Sequence, residues 1–122
     1  MPKIALIGTA GRSAAYPLIP ELWEAMTADV NSWIEPGDVL VSGGAAWADH
    51  LAVHAYLQGW CAGLCLYLPA PLVGGRFAGP FKSAGSTANY YHQRFSAVIA
   101  EDSLGQVQEA IARGAKVEFE PV

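Results

Sequence analysis

Residues 38–59 read DVLVSGGAAWADHLAVHAYLQG, and this stretch decides the fold. Val39, Leu40 and Val41 form the short, uninterrupted apolar run of a strand buried on both faces, and it stops at Gly43-Gly44. From Trp47 to Gln58, Ala48, Leu51, Ala52 and Ala55 recur at three- and four-residue spacing. That period predicts a helix with those residues on its inner face and Gly59 as its C-terminal stop. Strand, glycine turn and helix in this order are the first part of a βαβ unit.

The same grammar repeats on either side. Lys3 to Ile7 is a second buried-type strand, running into Gly8-Thr9-Ala10-Gly11-Arg12. Leu18, Leu22, Met26, Val30 and Trp33 then mark a helix that begins near Pro17 or Pro20, where proline is tolerated, and ends at the turn Glu35-Pro36-Gly37-Asp38. Ala62 to Leu68 (AGLCLYL) predicts a third strand, closed by Pro69-Ala70-Pro71. The order β–α–β–α–β implies an α/β domain with a mostly parallel sheet covered by helices.

Residues 72–88 carry four glycines, Arg76 and Lys82, with no clear period, and read as a long functional or mobile loop. Helical character resumes over Ala88–Val98. Asp102 or Ser103 caps a further helix with Leu104, Val107 and Ile111 inward and Gly114 at its end, and Lys116–Glu120 alternates as an edge strand does.

The chemistry concentrates at the two strand-to-helix junctions. Ligands of open parallel sheets bind outside the carboxyl ends of the strands, and loops without side-chain bulk let backbone N–H groups approach phosphate or ribose oxygens. Gly8, Thr9, Arg12, Ser42, Gly43, Gly44 and Ala45 are the residues so placed: Thr9 and Ser42 as hydroxyl donors, Arg12 as a planar fork for a phosphate or carboxylate. Asp49 is placed to accept a ribose hydroxyl or to pin the glycine loop, and Trp47 to stack on a base. Arg76 and Lys82 are candidates for a lid over an anion. No GxGxxG follows the first strand and no GxxxxGK[ST] occurs, so a dinucleotide or ATP cofactor is not expected. His50 and His54 share a helix face but lack the glutamate of HExxH and a clear third ligand, so they read as a packed or solvated pair with no metal. Four residues of extended chain would separate the Cα atoms of Cys61 and Cys65 by about 13 Å, beyond the roughly 7 Å reach of a disulfide.

Gly43-Gly44-Ala45-Ala46-Trp47-Ala48-Asp49-His50-Leu51-Ala52 resembles the GGA-x-G-A-D-x-x-A signature of the SLOG superfamily, which takes in DNA-processing protein A, LOG-type phosphoribohydrolases and YpsA-like proteins. Ile7-Gly8-Thr9 to Arg12 stands where YpsA-like members carry a G-[ST]-R turn, and Leu68-Pro69-Ala70 where they carry F-P-A. Asn89 with Tyr90-Tyr91-His92 is similar to their asparagine-containing helix start, which adds Asn89 to the binding candidates. The resemblance implies a Rossmann-like three-layer sandwich that binds a nucleotide or a nucleotide-derived small molecule, at times as a sensor. Trp47 replaces the usual glycine of the signature and Ala46 a common arginine. The PGGxGTxxE motif is missing, so the catalytic glutamate of the hydrolases has no counterpart and no catalytic residue is assigned. Two other readings remain. One is an N-glycosidic hydrolase using Asp49 or Glu101; the other is an interaction subunit with a vestigial pocket. On the first reading Gly44→Val should abolish binding and spare the fold.

Composition bounds the rest. The chain has 122 residues, 52% of them hydrophobic and 15% charged, with 7 Lys+Arg against 11 Asp+Glu and a net charge of −4. One packed domain over residues 1–122 is expected, and a phosphate-neutralising nucleic-acid surface is not. No apolar run approaches the roughly 18 residues of a membrane span, and the apolar N-terminal run is too short for a signal peptide, so a cytoplasmic setting is the default expectation. Members of the superfamily continue into a fourth core strand with a second glycine pair. The chain stops at Val122 before one, which predicts a truncated domain or a strand lent by another subunit. That shortfall, with the apolar surplus, predicts a homodimer.

Overall fold

A computed structural model describes residues 3–6 and 19–119, so Gly8, Thr9 and Arg12 of the first junction lie outside the described residues. The chain runs β1 (Lys3–Ala5), α1 (Pro20–Trp33), β2 (Val39–Ser42), a 3-10 turn (Trp47–Asp49), α2 (His50–Leu57), β3 (Gly63–Leu68), β4 (Leu72–Val73), β5 (Arg76–Phe77), α3 (Ala84–Ile99), α4 (Ser103–Ala112) and β6 (Lys116–Phe119). It is α/β, a Rossmann-like sandwich built on a parallel sheet of order β1-β2-β3-β6. Among the described residues no helix is long and apolar enough to cross a membrane.

Register fixes which side chains share a face. Leu40, Leu64, Leu66 and Leu68 point to one side, are at most 3% exposed, and join Ala52, Val53, Phe95 and Val107 in a single core. Helix α2 touches β2 and β3 and lies against α1 and α4, while α3 packs on both α1 and α4. The opposite side carries Ala5, Val39, Val41 and Tyr67, which are exposed or half-buried. Because successive residues of a strand face opposite ways, the same apolar runs supply both a closed face and a half-open one.

Local chemistry sets the ends of the elements. Pro20 opens α1, where its missing N–H costs nothing. Asp38 is buried and accepts from the Glu35 N–H at 2.9 Å, closing the turn into β2. Asp102 caps α4 by accepting from Gly105 N at 3.0 Å.

The segment 72–88 differs from the long loop expected. Leu72–Val73 and Arg76–Phe77 pair antiparallel around Gly74-Gly75, both at positive φ (62° and 82°), the backbone a two-residue hairpin turn needs. Helix α3 starts at Ala84, four residues earlier than the sequence suggested, because Ser83 caps it by accepting from Ser86 N at 3.2 Å. Gly85, a helix breaker by propensity, is required there. A Cβ at this position would overlap the Ala78 carbonyl oxygen.

Strand β6 pairs parallel with β3 at the sheet edge, as the alternation of residues 116–120 indicated.

Candidate ligand-binding site

Strand order does not reverse among the described strands, so no switch-point crevice forms among them. A cavity of about 310 Å³ nevertheless opens at the carboxyl ends of β2 and β3. Its floor is Gly43, Ala45 and Ala46 from the loop after β2, with Asp49 of the 3-10 turn and Pro69 after β3. Across it stand Lys82, which precedes α3, and Ala84, Thr87, Ala88 and Tyr91 along the first two turns of that helix. The volume sits at the low end of small-molecule sites, enough for a mononucleotide-sized ligand and small for a dinucleotide.

Ser42 builds the loop from beneath. Its hydroxyl donates to the Asp49 carbonyl at 2.8 Å and accepts from Gly44 N at 3.0 Å, and the residue is 2% exposed. The hydrogen expected for a ligand is thus spent on holding the turn. Gly43 brings its backbone beside Asp49, whose Oδ2 lies 3.0 Å from where a Cβ would stand. Gly44 is left-handed (φ 74°), and a Cβ there would meet Leu68 Cδ2 at 2.5 Å. Leu68 is 1% exposed and cannot swing aside, so Gly44→Val damages the fold as well as the loop, contrary to the expectation of a clean binding mutant.

Behind the loop lies a buried polar chain that sequence reasoning missed. His92 Nε2 stands 2.7 Å from the Gly44 carbonyl, which can only accept, so Nε2 carries the proton. Nδ1 is then the acceptor, and Ser103 Oγ, 2.8 Å away, donates to it. Ser96 Oγ, 2.8 Å from Ser103 Oγ, completes the relay and itself accepts from Ser103 N at 2.9 Å. Burial pushes the His92 pKa down, opposed by the bond to Gly44. A neutral histidine therefore ties α3 and α4 to the glycine loop. Only folding brings His92 of α3 and Ser103 of α4 behind the Gly44 loop.

Three candidates fall elsewhere. Trp47 is fully buried, with ring centroids 5.0 Å from Phe95 and 6.2 Å from Trp23, so it is a core residue and offers no face to a base. It holds φ 65°, the left-handed region that favours glycine. Asn89 is also buried, and both ends of its amide are used. Oδ1 accepts from Phe77 N at 2.8 Å and Nδ2 donates to Phe77 O at 2.9 Å, which fastens the hairpin to α3. Arg76 lines a separate cavity of about 240 Å³ on the other side of α3, with Gln93, Ser96 and Asp102. It is no lid over the glycine loop.

Glu101, the second carboxylate considered for hydrolysis, is exposed and accepts from Gln106 Nε2 at 2.9 Å; it does not line the main cavity. Gln106 Oε1 in turn accepts from His50 Nε2 at 2.7 Å. His50 is fully buried, and desolvation, only partly offset by that bond, holds its pKa at about 3. No group of metal-ligating side chains forms among the described residues.

No family model matches the sequence, and no solved structure matches it. The chain is 38% identical over 118 residues to an uncharacterized protein of Acanthamoeba polyphaga mimivirus, an alignment covering 89% of this chain and 64% of that protein. The chain thus spans less than two thirds of the length of that relative.

Proposed function

We propose that this chain binds a nucleotide or nucleotide-derived small molecule in the cavity between the Gly43–Ala46 loop and the start of α3. The observation that carries the reading is the composition of the cavity walls. A side-chain-poor backbone loop faces a helix start, with a cation, Lys82, and a carboxylate, Asp49, on the walls. The loop suits phosphate or ribose oxygens, Lys82 an anionic group, and Asp49 a ribose hydroxyl.

Two further facts favour a SLOG-type site. Position 47, glycine in the resembled signature, is left-handed here although it carries tryptophan. Pro69, in the place of the F-P-A segment, lines the cavity. Among the described residues the cavity walls carry one carboxylate, Asp49, and the binding reading asks for no second. Isothermal titration with nucleoside mono-, di- and triphosphates, NAD and ADP-ribose tests the proposal. Saturable binding of at least one supports it, and heat-silent titrations with all of them sink it.

Association into a homodimer belongs to the same proposal. The half-buried sheet face bearing Ala5, Val39, Val41 and Tyr67 supports it. A monomeric mass by light scattering at high protein concentration would refute it.

A further inference from the structure

We infer that His92 is a positioning residue of this cavity: by holding the Gly44 carbonyl behind the loop, it turns the Ala45 N–H toward the ligand as the donor to a phosphate oxyanion. The inference rests on the binding reading above and adds to it where the anionic group sits and what aims the loop at it.

One peptide plane carries the effect. The Gly44–Ala45 peptide is trans, so its C=O and N–H point in opposite directions. His92 Nε2 lies 2.7 Å from the Gly44 oxygen, and the imidazole is fully buried and does not line the cavity. The carbonyl is thus drawn inward. The Ala45 N–H is directed to the other side, where Gly43, Ala45 and Ala46 form the cavity floor. Among the described residues no backbone or side-chain acceptor takes that N–H.

The plane is fixed from both sides of Gly44. Ser42 Oγ accepts from the Gly44 N–H at 3.0 Å, and its own bond to the Asp49 carbonyl keeps that oxygen in place. The His92 ring has no room to turn away, because His50, Phe77 and Phe95 stand around it at centroid distances of 5.8–6.5 Å. Ser103 Oγ, 2.8 Å from Nδ1, keeps the proton on the Nε2 that faces the loop. Packing alone would be better served by an apolar side chain, since burying an imidazole costs free energy that only its hydrogen bonds offset.

A carbonyl left free at Gly44 could rotate into the cavity, as glycine permits, and present its negative end where the N–H now stands. A donor already held in place needs no reorganisation when an anion arrives. Lys82 stands across the cavity from this floor and makes no ion pair among the described residues. Asp49, whose Oδ2 lies beside Gly43, repels an anion from that end of the loop and suits a neutral hydroxyl. The phosphate therefore belongs at Ala45 and Lys82, and the ribose at Gly43 and Asp49.

The test titrates the full chain, His92→Leu and His92→Gln with adenosine, guanosine, cytidine and uridine 5′-monophosphates and with the matching nucleosides. His92→Leu should weaken the monophosphate that the wild type prefers by about 10- to 100-fold, and its nucleoside by less than about twofold, as loss of one hydrogen bond to a charged group predicts. Glutamine keeps an N–H donor, so His92→Gln should stay within about fivefold of the wild type. In amide NMR spectra of the wild type, the Ala45 proton should move downfield with the monophosphate and not with the nucleoside. That readout stands even where a variant fails to fold, which circular dichroism checks. The inference is overturned by unchanged monophosphate affinity in a folded His92→Leu, by equal losses for monophosphate and nucleoside, or by a folded His92→Gln no better than His92→Leu. An Ala45 amide indifferent to a bound monophosphate overturns it too, and each of these results leaves the binding reading standing. A wild type that binds none of the monophosphates overturns the inference, and one that also binds no other nucleotide overturns both.

Discussion

The aromatic cluster around Phe95 and the exposed Phe81 are made of similar side chains and have opposite fates. Trp23, Trp47, His50 and His92 surround Phe95 at centroid distances of 4.9–6.5 Å, and all are at most 6% exposed. Phe81 has 86% of its surface in water. The first group spends its faces on its neighbours and fixes where α1, α2 and α3 sit. Phe81 contributes nothing to that packing, and its ring meets only water and the Lys82 ammonium, 5.8 Å from its centroid, among the described contacts. An aromatic close in sequence to a glycine loop is thus a poor guide to a stacking platform. The burial of the ring decides.

Truncating Trp47 gives the largest separation between the two regions. Trp47→Ala should destabilise the protein by about 3–5 kcal/mol in urea unfolding, and Trp47→Gly should cost about 1 kcal/mol less because φ 65° suits glycine. Equal losses for the two variants would remove the strain from the account. A stable Trp47→Ala that fails only in binding would reverse the comparison.

Acid probes the same core. Above pH 6.5 both the folded and the unfolded chain hold His50 neutral, and its contribution is flat. Below 6.5 the unfolded chain takes up the proton first, because burial holds the folded pKa at about 3. Stability should therefore fall by about 2–3 kcal/mol from His50 alone by pH 4.5, and continue falling to about pH 3. His92 and His54, both lowered chiefly by burial, act in the same direction. Denaturant midpoints measured from pH 7.5 to 4.5 check this, and a flat profile would place His50 in water.

Asn89→Ala should cost about 2 kcal/mol, since it leaves the buried N–H and C=O of Phe77 unpaired. Its signature is greater protease sensitivity of the Leu72–Phe77 hairpin. The smallest stability effect belongs to Phe81→Ala, whose melting curve should match the wild type within about 0.5 kcal/mol. A marked loss there would mean that Phe81 is structural and erase the contrast between core and rim.

Much of the fold was legible because apolar runs and glycine stops are local. Strands over 38–42 and 62–68, a helix opening near Pro17 or Pro20, a cap at Asp102 or Ser103 and the edge strand over 116–120 all follow from neighbouring residues, and the structure has each within a residue or two. The hairpin was missed although Gly74-Gly75 between Leu-Val and Arg-Phe is itself a two-residue turn signal. Four glycines in 72–88 hid a helix start, since Gly85 lowers helix propensity at the point where close approach to Ala78 demands it. In the site, Gly43, Ala45 and Asp49 were legible from the loop motif. Thr87 and Tyr91 were not, because they come from a helix more than 35 residues further along the chain.

By itself, then, the sequence determined the α/β alternation, the glycine junction after β2 and the negative charge, each a property of neighbours or of sums. Only the tertiary structure decided what each polar and aromatic side chain does. It turned Ser42 and Asn89 inward as fasteners, sealed Trp47 in the core, tied His92 to the Gly44 carbonyl, set Lys82 on the wall of a cavity and left Phe81 in water. The reason is physical. A hydrogen bond or a ring contact is made in three dimensions between groups distant in the chain, and whichever of them the packing buries first is no longer free for a ligand.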